Sequence, residues 1–159
     1  SFPFIETPMK RESEKRDAKS LDGLVVHTST GDLTFEQVAM LFNALPLDLS
    51  YVDENNRLRY FSKPKDRFFP RSVAALGRDV KNCHPPKSVD AVIEIIEAFR
   101  SKKQDSASFW IRLKGRLVLI QYFAVRNDKG IYKGVLEVSQ DITEIHSLEG
   151  ERRLVEWGK

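Results

Sequence analysis

The chain has 159 residues and a single cysteine, and its 26 lysines and arginines nearly balance 23 aspartates and glutamates to leave a net charge of +3. That length buries one core but not two. The mixed charges lack the basic stripe that a phosphate backbone requires, one cysteine excludes an internal disulfide, and no apolar run is long enough for a membrane span or a signal peptide. The composition reads as one domain with tails in a reducing compartment: a cytoplasmic protein that engages neither nucleic acid nor membrane.

Residues 1–33 are expected to be an N-terminal extension or linker. The chain starts Ser1-Phe2-Pro3 rather than with Met, which fits a piece of a longer protein. Met9 to Leu21 is nearly all polar or charged and reads as a linker or exposed helix. Thr34 with Gln37 then forms a capping box, and Leu33 with Val38 has the spacing of a hydrophobic staple, so a helix should start here and run to Leu45 before Pro46 ends it.

The segments 47–52 and 57–61 flank the polar turn Asp53-Glu54-Asn55-Asn56, a hairpin signature. A longer helix follows from Val89 to Phe99, with Val89, Val92, Ile93, Ile96 and Phe99 on its apolar stripe. Ser88 is the expected N-cap of that helix.

Residues 105–143 read as three successive strands joined by the turns Lys114-Gly115 and Asn127-Asp128-Lys129-Gly130. In the first, Phe109, Ile111 and Leu113 share one face and Trp110 and Arg112 the other. Both parities of the second are apolar, so it should be central. In the third, Tyr132, Gly134, Leu136, Val138 and Gln140 alternate with Ile131, Val135, Glu137 and Ser139. Gly134 leaves room for a close neighbour. Asp141 stops the sheet, and with Glu144 it has capping-box spacing for a further helix.

The order of elements, with Tyr51-Val52-Asp53-Glu54-Asn55, Leu76-Gly77-Arg78-Asp79-Val80, His84-Pro85, Gly115 and Asp141-Ile142-Thr143-Glu144, resembles the PAS domain over about residues 34–145. The resemblance implies an α+β fold, a five-stranded antiparallel sheet with flanking helices around a pocket, and a sensory role. More narrowly, Leu45-Pro46-Leu47-Asp48, residues 82–89, Phe109-Trp110-Ile111 and residues 137–141 look like the PAS module of bacterial proteins that also carry a hemerythrin-like domain and a segment of unknown function. That context implies a larger signalling or stress-response protein with an adjacent output domain, and no particular ligand.

The pocket is expected between the helix from Val89 to Phe99, the segment from Phe68 to Val80 and the inner sheet face. Its candidate lining is Phe69, Val80, His84, Val92 and Ile96, together with Trp110 or Ile111, Tyr122 or Phe123, and Leu136. An unknown small molecule is the expected partner. Arg71, Arg78, Arg112 and Arg126 could hold an anion, although pairing with a carboxylate such as Asp79 or Glu137 is the simpler role. Gln121 and Gln140, polar on apolar faces, need partners if buried.

Cys83-His84-Pro85-Pro86 is the one stretch with nucleophile or metal-ligand chemistry. Neighbours in sequence seldom converge, no second Cys or His lies nearby, and the motif suits a helix entrance, so no catalytic residues are assigned. The flavin photosensors of the family carry a Cys after Gly-Arg-Asn where this chain has Gly77-Arg78-Asp79-Val80, and a Gln where it has Leu136, so that photochemistry is not expected. Haem-binding members take a His from within the longer helix, which has none, leaving Cys83 or His84 as the alternative ligands for a haem or metal. Residues 146–159 are expected to form a C-terminal helical extension, with Ile145, Leu148 and Val155 at heptad-compatible positions. Together with the Thr34 to Leu45 helix, it should take part in a homodimer.

Overall fold

The computed structural model describes residues 24–158, so the expectation for Met9 to Leu21 lies outside the described residues. The described residues open with a small antiparallel hairpin, β1 (Val25–Thr28) and β2 (Gly31–Thr34), separate from the main sheet. Helix α1 (Phe35–Ala44) follows, started by the capping box read from the sequence: Gln37 N donates to Thr34 Oγ1 at 3.1 Å, and Thr34 N donates to Gln37 Oε1 at 2.9 Å. Although α1 is rich in apolar residues, none of them is buried.

The main sheet is antiparallel and five-stranded in the order β4-β3-β7-β6-β5. Its strands are β3 (Asp48–Asp53), β4 (Leu58–Phe61), β5 (Ser106–Leu113), β6 (Arg116–Arg126) and β7 (Tyr132–Asp141). The fold class is α+β, as expected. Asp53 shapes the β3–β4 turn by accepting from Asn55 N and Arg57 N at 2.9 and 3.0 Å. Lys114 and Gly115 both take positive φ, 50° and 76°, the geometry of a two-residue hairpin loop. At Gly134 a Cβ would stand 2.1 Å from Val52 O, so β3 and β7 approach there as only glycine allows.

Residues paired across strands share a face, and the register separates the two sides of the sheet. Val52, Leu58, Val118, Ile120, Tyr122 and Val135 point to the inner side and form the core with Val80 and with Val92, Ile96 and Phe99 of helix α2 (Pro86–Arg100). Through its pairing with Val118, Ile111 shares that inner face. The opposite face carries Tyr60, Leu136, Phe123, Leu119 and Trp110, with Trp110 66% exposed.

Three local expectations are corrected. Helix α2 starts at Pro86, with Pro85 in the cap position and Ser88 inside the first turn, its hydroxyl donating to Pro85 O. Proline at the first helical position is preorganised and lacks only an amide that would be unpaired there anyway, so the helix starts earlier than Val89. Asp141 does not cap through Glu144. Instead it accepts from Thr143 N at 3.0 Å and Thr143 Oγ1 at 2.6 Å. The last helix, α3 (Thr143–His146), is a single turn, and residues 147–158 are exposed and non-helical. The expected helical extension over 146–159 therefore does not form in its described part: a heptad spacing without a buried partner leaves a short helix marginal, and Gly150 takes positive φ.

A charged niche beneath helix α2

The loop between β4 and α2 is anchored from below by a buried carboxylate. Asp48, on the inner face of β3 and 5% exposed, accepts from Phe68 N at 3.0 Å and Phe69 N at 3.4 Å. Arg67 lies over the Phe61 ring, donates from Nε to Phe69 O and from a terminal nitrogen to Ser62 O, and keeps Nε 3.9 Å from Asp48 Oδ2. This lacing carries the chain back over the sheet and sets Arg71 above β7.

A second lacing places the segment from Leu76 to His84. Gly77 N donates to Leu58 O and Leu58 N to Arg78 O, which zips the segment to β4. Asp79 accepts from Lys81 N at 2.9 Å, and Val80 N donates to Asn56 O at 2.8 Å. Val80 is thereby driven into the core at 3% exposure. His84 Nδ1 lies 3.1 Å from Val80 O. A carbonyl only accepts, so Nδ1 carries the proton and Nε2 is turned toward the sheet.

Glu137, at the centre of β7, projects into this space. Its carboxylate is 3.6 Å from Arg71 Nη2 and 3.9 Å from His84 Nε2, and all three side chains are at most 14% exposed. Arg71 and Glu137 stand at ion-pair separation, and both distances are longer than good hydrogen bonds. Arg71 Nε is buried with no hydrogen-bond partner among the described residues.

Two adjoining cavities of about 10 Å³ each lie here, each with room for about one water molecule. The first is apolar along Val52, Val92, Ile95, Ile96 and Val135, and reaches Tyr122. The second runs past Ser50, Leu58, Arg71 and Cys83. Val80, His84 and Glu137 line both. Burial raises the Cys83 thiol above its usual pKa, with Arg71 and Arg78 opposing the shift. Burial, with Glu137 adding to it, also raises the Tyr122 phenol. Both groups are therefore protonated at neutral pH.

Of the candidate lining residues, Val80, His84, Val92, Ile96 and Tyr122 are brought together around these cavities. Ile111 is on the inner face without lining them, and Phe69 packs against the core beside them. Trp110, Phe123 and Leu136 stand on the opposite face of the sheet, away from the cavities. Their assignment to the inner face is corrected, because alternation groups residues by side but does not say which side an apolar strand turns inward. Glu137 was considered in the sequence only as a partner for an arginine, and it is the polar centre of the site. Its signal was present: it shares parity with Val135 and Ser139, and so must face whatever packs on the inner side. Cys83 and His84 both reach the niche, yet no cluster of three or more His, Cys, Asp or Glu side chains that could hold a metal occurs among the described residues.

The chain belongs to the PAS domain family, whose model matches residues 38–143. It is similar to the crystal structure of a C-terminal domain from Streptococcus mutans, at 31% identity and a TM-score of 0.76, covering 80% of this chain and 99% of that one. The PAS domain of a protein from Colwellia psychrerythraea shares the fold at 19% identity and a TM-score of 0.53, covering 69% of this chain and 97% of that one. The PAS domain of BvgS from Bordetella pertussis does so at 18% identity and a TM-score of 0.52, with 68% and 85% covered. Among curated proteins nothing matches. No helix among the described residues is long and apolar enough to cross a membrane.

Proposed function

We propose that the chain is a non-catalytic sensory or interaction module of a larger bacterial signalling protein, acting as a homodimer in the cytoplasm and reporting the state of its interior niche to an adjacent domain. The hemerythrin-like neighbour implied by the narrower sequence resemblance belongs to this proposal. The observation that carries the reading is the two-sided character of β7. Glu137 points into the niche between Arg71 and His84, whereas its neighbours Leu136 and Val138 point to the other face. A change at Glu137 therefore displaces backbone shared with the outer surface.

That outer surface suits a second copy. Phe123, paired with Leu136, and Trp110, on the edge strand β5, are exposed, and α1 exposes Met40, Leu41 and Phe42 at 55%, 52% and 41%. Among the described residues the helix is held by its junction with β2, by Phe42 against Tyr60 and by Lys63 N donating to Asn43 Oδ1. Exposed large apolar side chains on the outer sheet face and along α1 support an association site there. Light scattering at micromolar concentration tests the association: a dimeric mass that Trp110→Lys converts to monomer is expected, and a monomeric mass unchanged on concentration overturns it.

Haem ligation by His84 or Cys83 is the alternative cofactor chemistry. His84 Nε2 faces the niche beside Glu137, but cavities of about 10 Å³ would have to open widely to take a porphyrin. The absorption spectrum of natively purified protein decides between the readings. No Soret band is expected, and a Soret band lost on His84→Ala would establish the haem reading.

A further inference from the structure

The niche lacks two things at once. Arg71 Nε is a buried donor without an acceptor among the described residues, and the Glu137 carboxylate stands near Arg71 and the His84 ring without either coming within hydrogen-bond distance. A buried donor left unpaired is costly, and a native fold that keeps one commonly supplies its partner from water or a ligand. The charges decide the kind of partner. A carboxylate ligand would answer Arg71 but add a second negative charge beside Glu137, whereas an ammonium would answer Glu137 but crowd Arg71 and leave its Nε unpaired. In a partly desolvated site either repulsion is strong. A neutral group that accepts on one atom and donates from the next satisfies both residues and adds no charge.

Building on the sensory reading above, we propose that this niche binds a small neutral molecule whose polar head is a primary carboxamide or its equivalent, the carbonyl accepting from Arg71 and the amide N–H donating to Glu137. A short alkyl body would enter the apolar cavity between Val92, Ile96 and Val135. Two adjoining cavities of about 10 Å³ hold about one water-sized group apiece, so the head group replaces these waters and the alkyl body enters as α2 moves outward.

The test is a two-dimensional NMR titration of the 159-residue chain with three probes of one size, propionamide, propionate and propylammonium. Saturable shifts confined to the amides of Val80, Val92, Val135 and Glu137 are expected with propionamide, at an affinity about ten-fold or more above either charged probe, the size of one hydrogen bond to a charged group. Glu137→Leu should abolish that preference. Because Glu137→Leu also leaves Arg71 buried without its carboxylate, the comparison of probes on the unchanged protein stands on its own. A charged probe binding as tightly as the amide overturns the proposal, and so does the absence of any saturable shift, which would leave water as the occupant. Either failure leaves the association reading to its separate measurement by light scattering.

Discussion

Arg71 Nη2 stands 3.6 Å from Glu137 Oε1 across the interior of the domain, joining the loop that Asp48 anchors to the central strand of the sheet. Both side chains are largely buried, so removing either charge strands the other in a medium that solvates it poorly. Arg71→Gln or Glu137→Gln should each lower stability by about 2 kcal/mol, and the double variant by less than the sum, with a coupling of about 1 kcal/mol. Urea unfolding of the four proteins measures the cycle, and strict additivity would show the pair to be energetically unlinked.

Gly134 carries a packing prediction. A methyl group there would overlap the carbonyl of Val52 on the neighbouring strand, at a φ of +134° that other residues rarely adopt. Gly134→Ala should destabilise by about 3 kcal/mol, because the clash is with backbone and no rotamer change relieves it. A thermal midpoint within a degree or two of the parent would contradict the close approach of β3 and β7.

The end of the sheet should be acid-sensitive. Hydrogen bonds from the Thr143 hydroxyl and amide, helped by Arg116, hold the Asp141 carboxyl at a pKa of about 2, below its ordinary 3.8. A depressed folded-state value means that the carboxylate favours the folded arrangement above about pH 4, and that this contribution is lost as the pH falls toward 2. The protection of Leu117 and Ile142 against hydrogen exchange, measured relative to the intrinsic rate at each pH, should fall over that interval in the parent, because their backbone groups bond to this corner, and show no such step in Asp141→Asn.

Cys83 should be a slow thiol. Burial raises its pKa and reduces the thiolate fraction at neutral pH, and the thiolate is the species that attacks. Reaction with a disulfide reagent at pH 7.5 should run about ten-fold or more below the rate of an unhindered thiol. Reaction as fast as free cysteine would mean that the segment opens readily.

Much of the architecture was legible because pattern and turn chemistry agree. The capping box at Thr34 and Gln37, the positive-φ turn at Lys114-Gly115 and the alternation in β5 and β7 each specify one local geometry. What the pattern left open is which face of a doubly apolar strand turns inward. Leu119 and Phe123 look as suited to a core as Ile120 and Tyr122, and only the docking of Val92 and Ile96 chooses between them. Trp110, Phe123 and Leu136 were misplaced for that reason, and the importance of Glu137 was missed for the same one. The C-terminal helix failed on different grounds: Ile145, Leu148 and Val155 have helical spacing, but without a partner to cover them spacing does not supply stability.

The alternation of β7 also has a consequence for dosage. Glu137 belongs to the interior, and Leu136 beside it belongs to the face proposed to meet a second copy. Coupling carried by one strand is reciprocal: if occupancy of the niche alters self-association, self-association alters occupancy by the same factor. The midpoint of the response would then depend on how many copies of the chain the cell holds, and dilution alone would act as a signal.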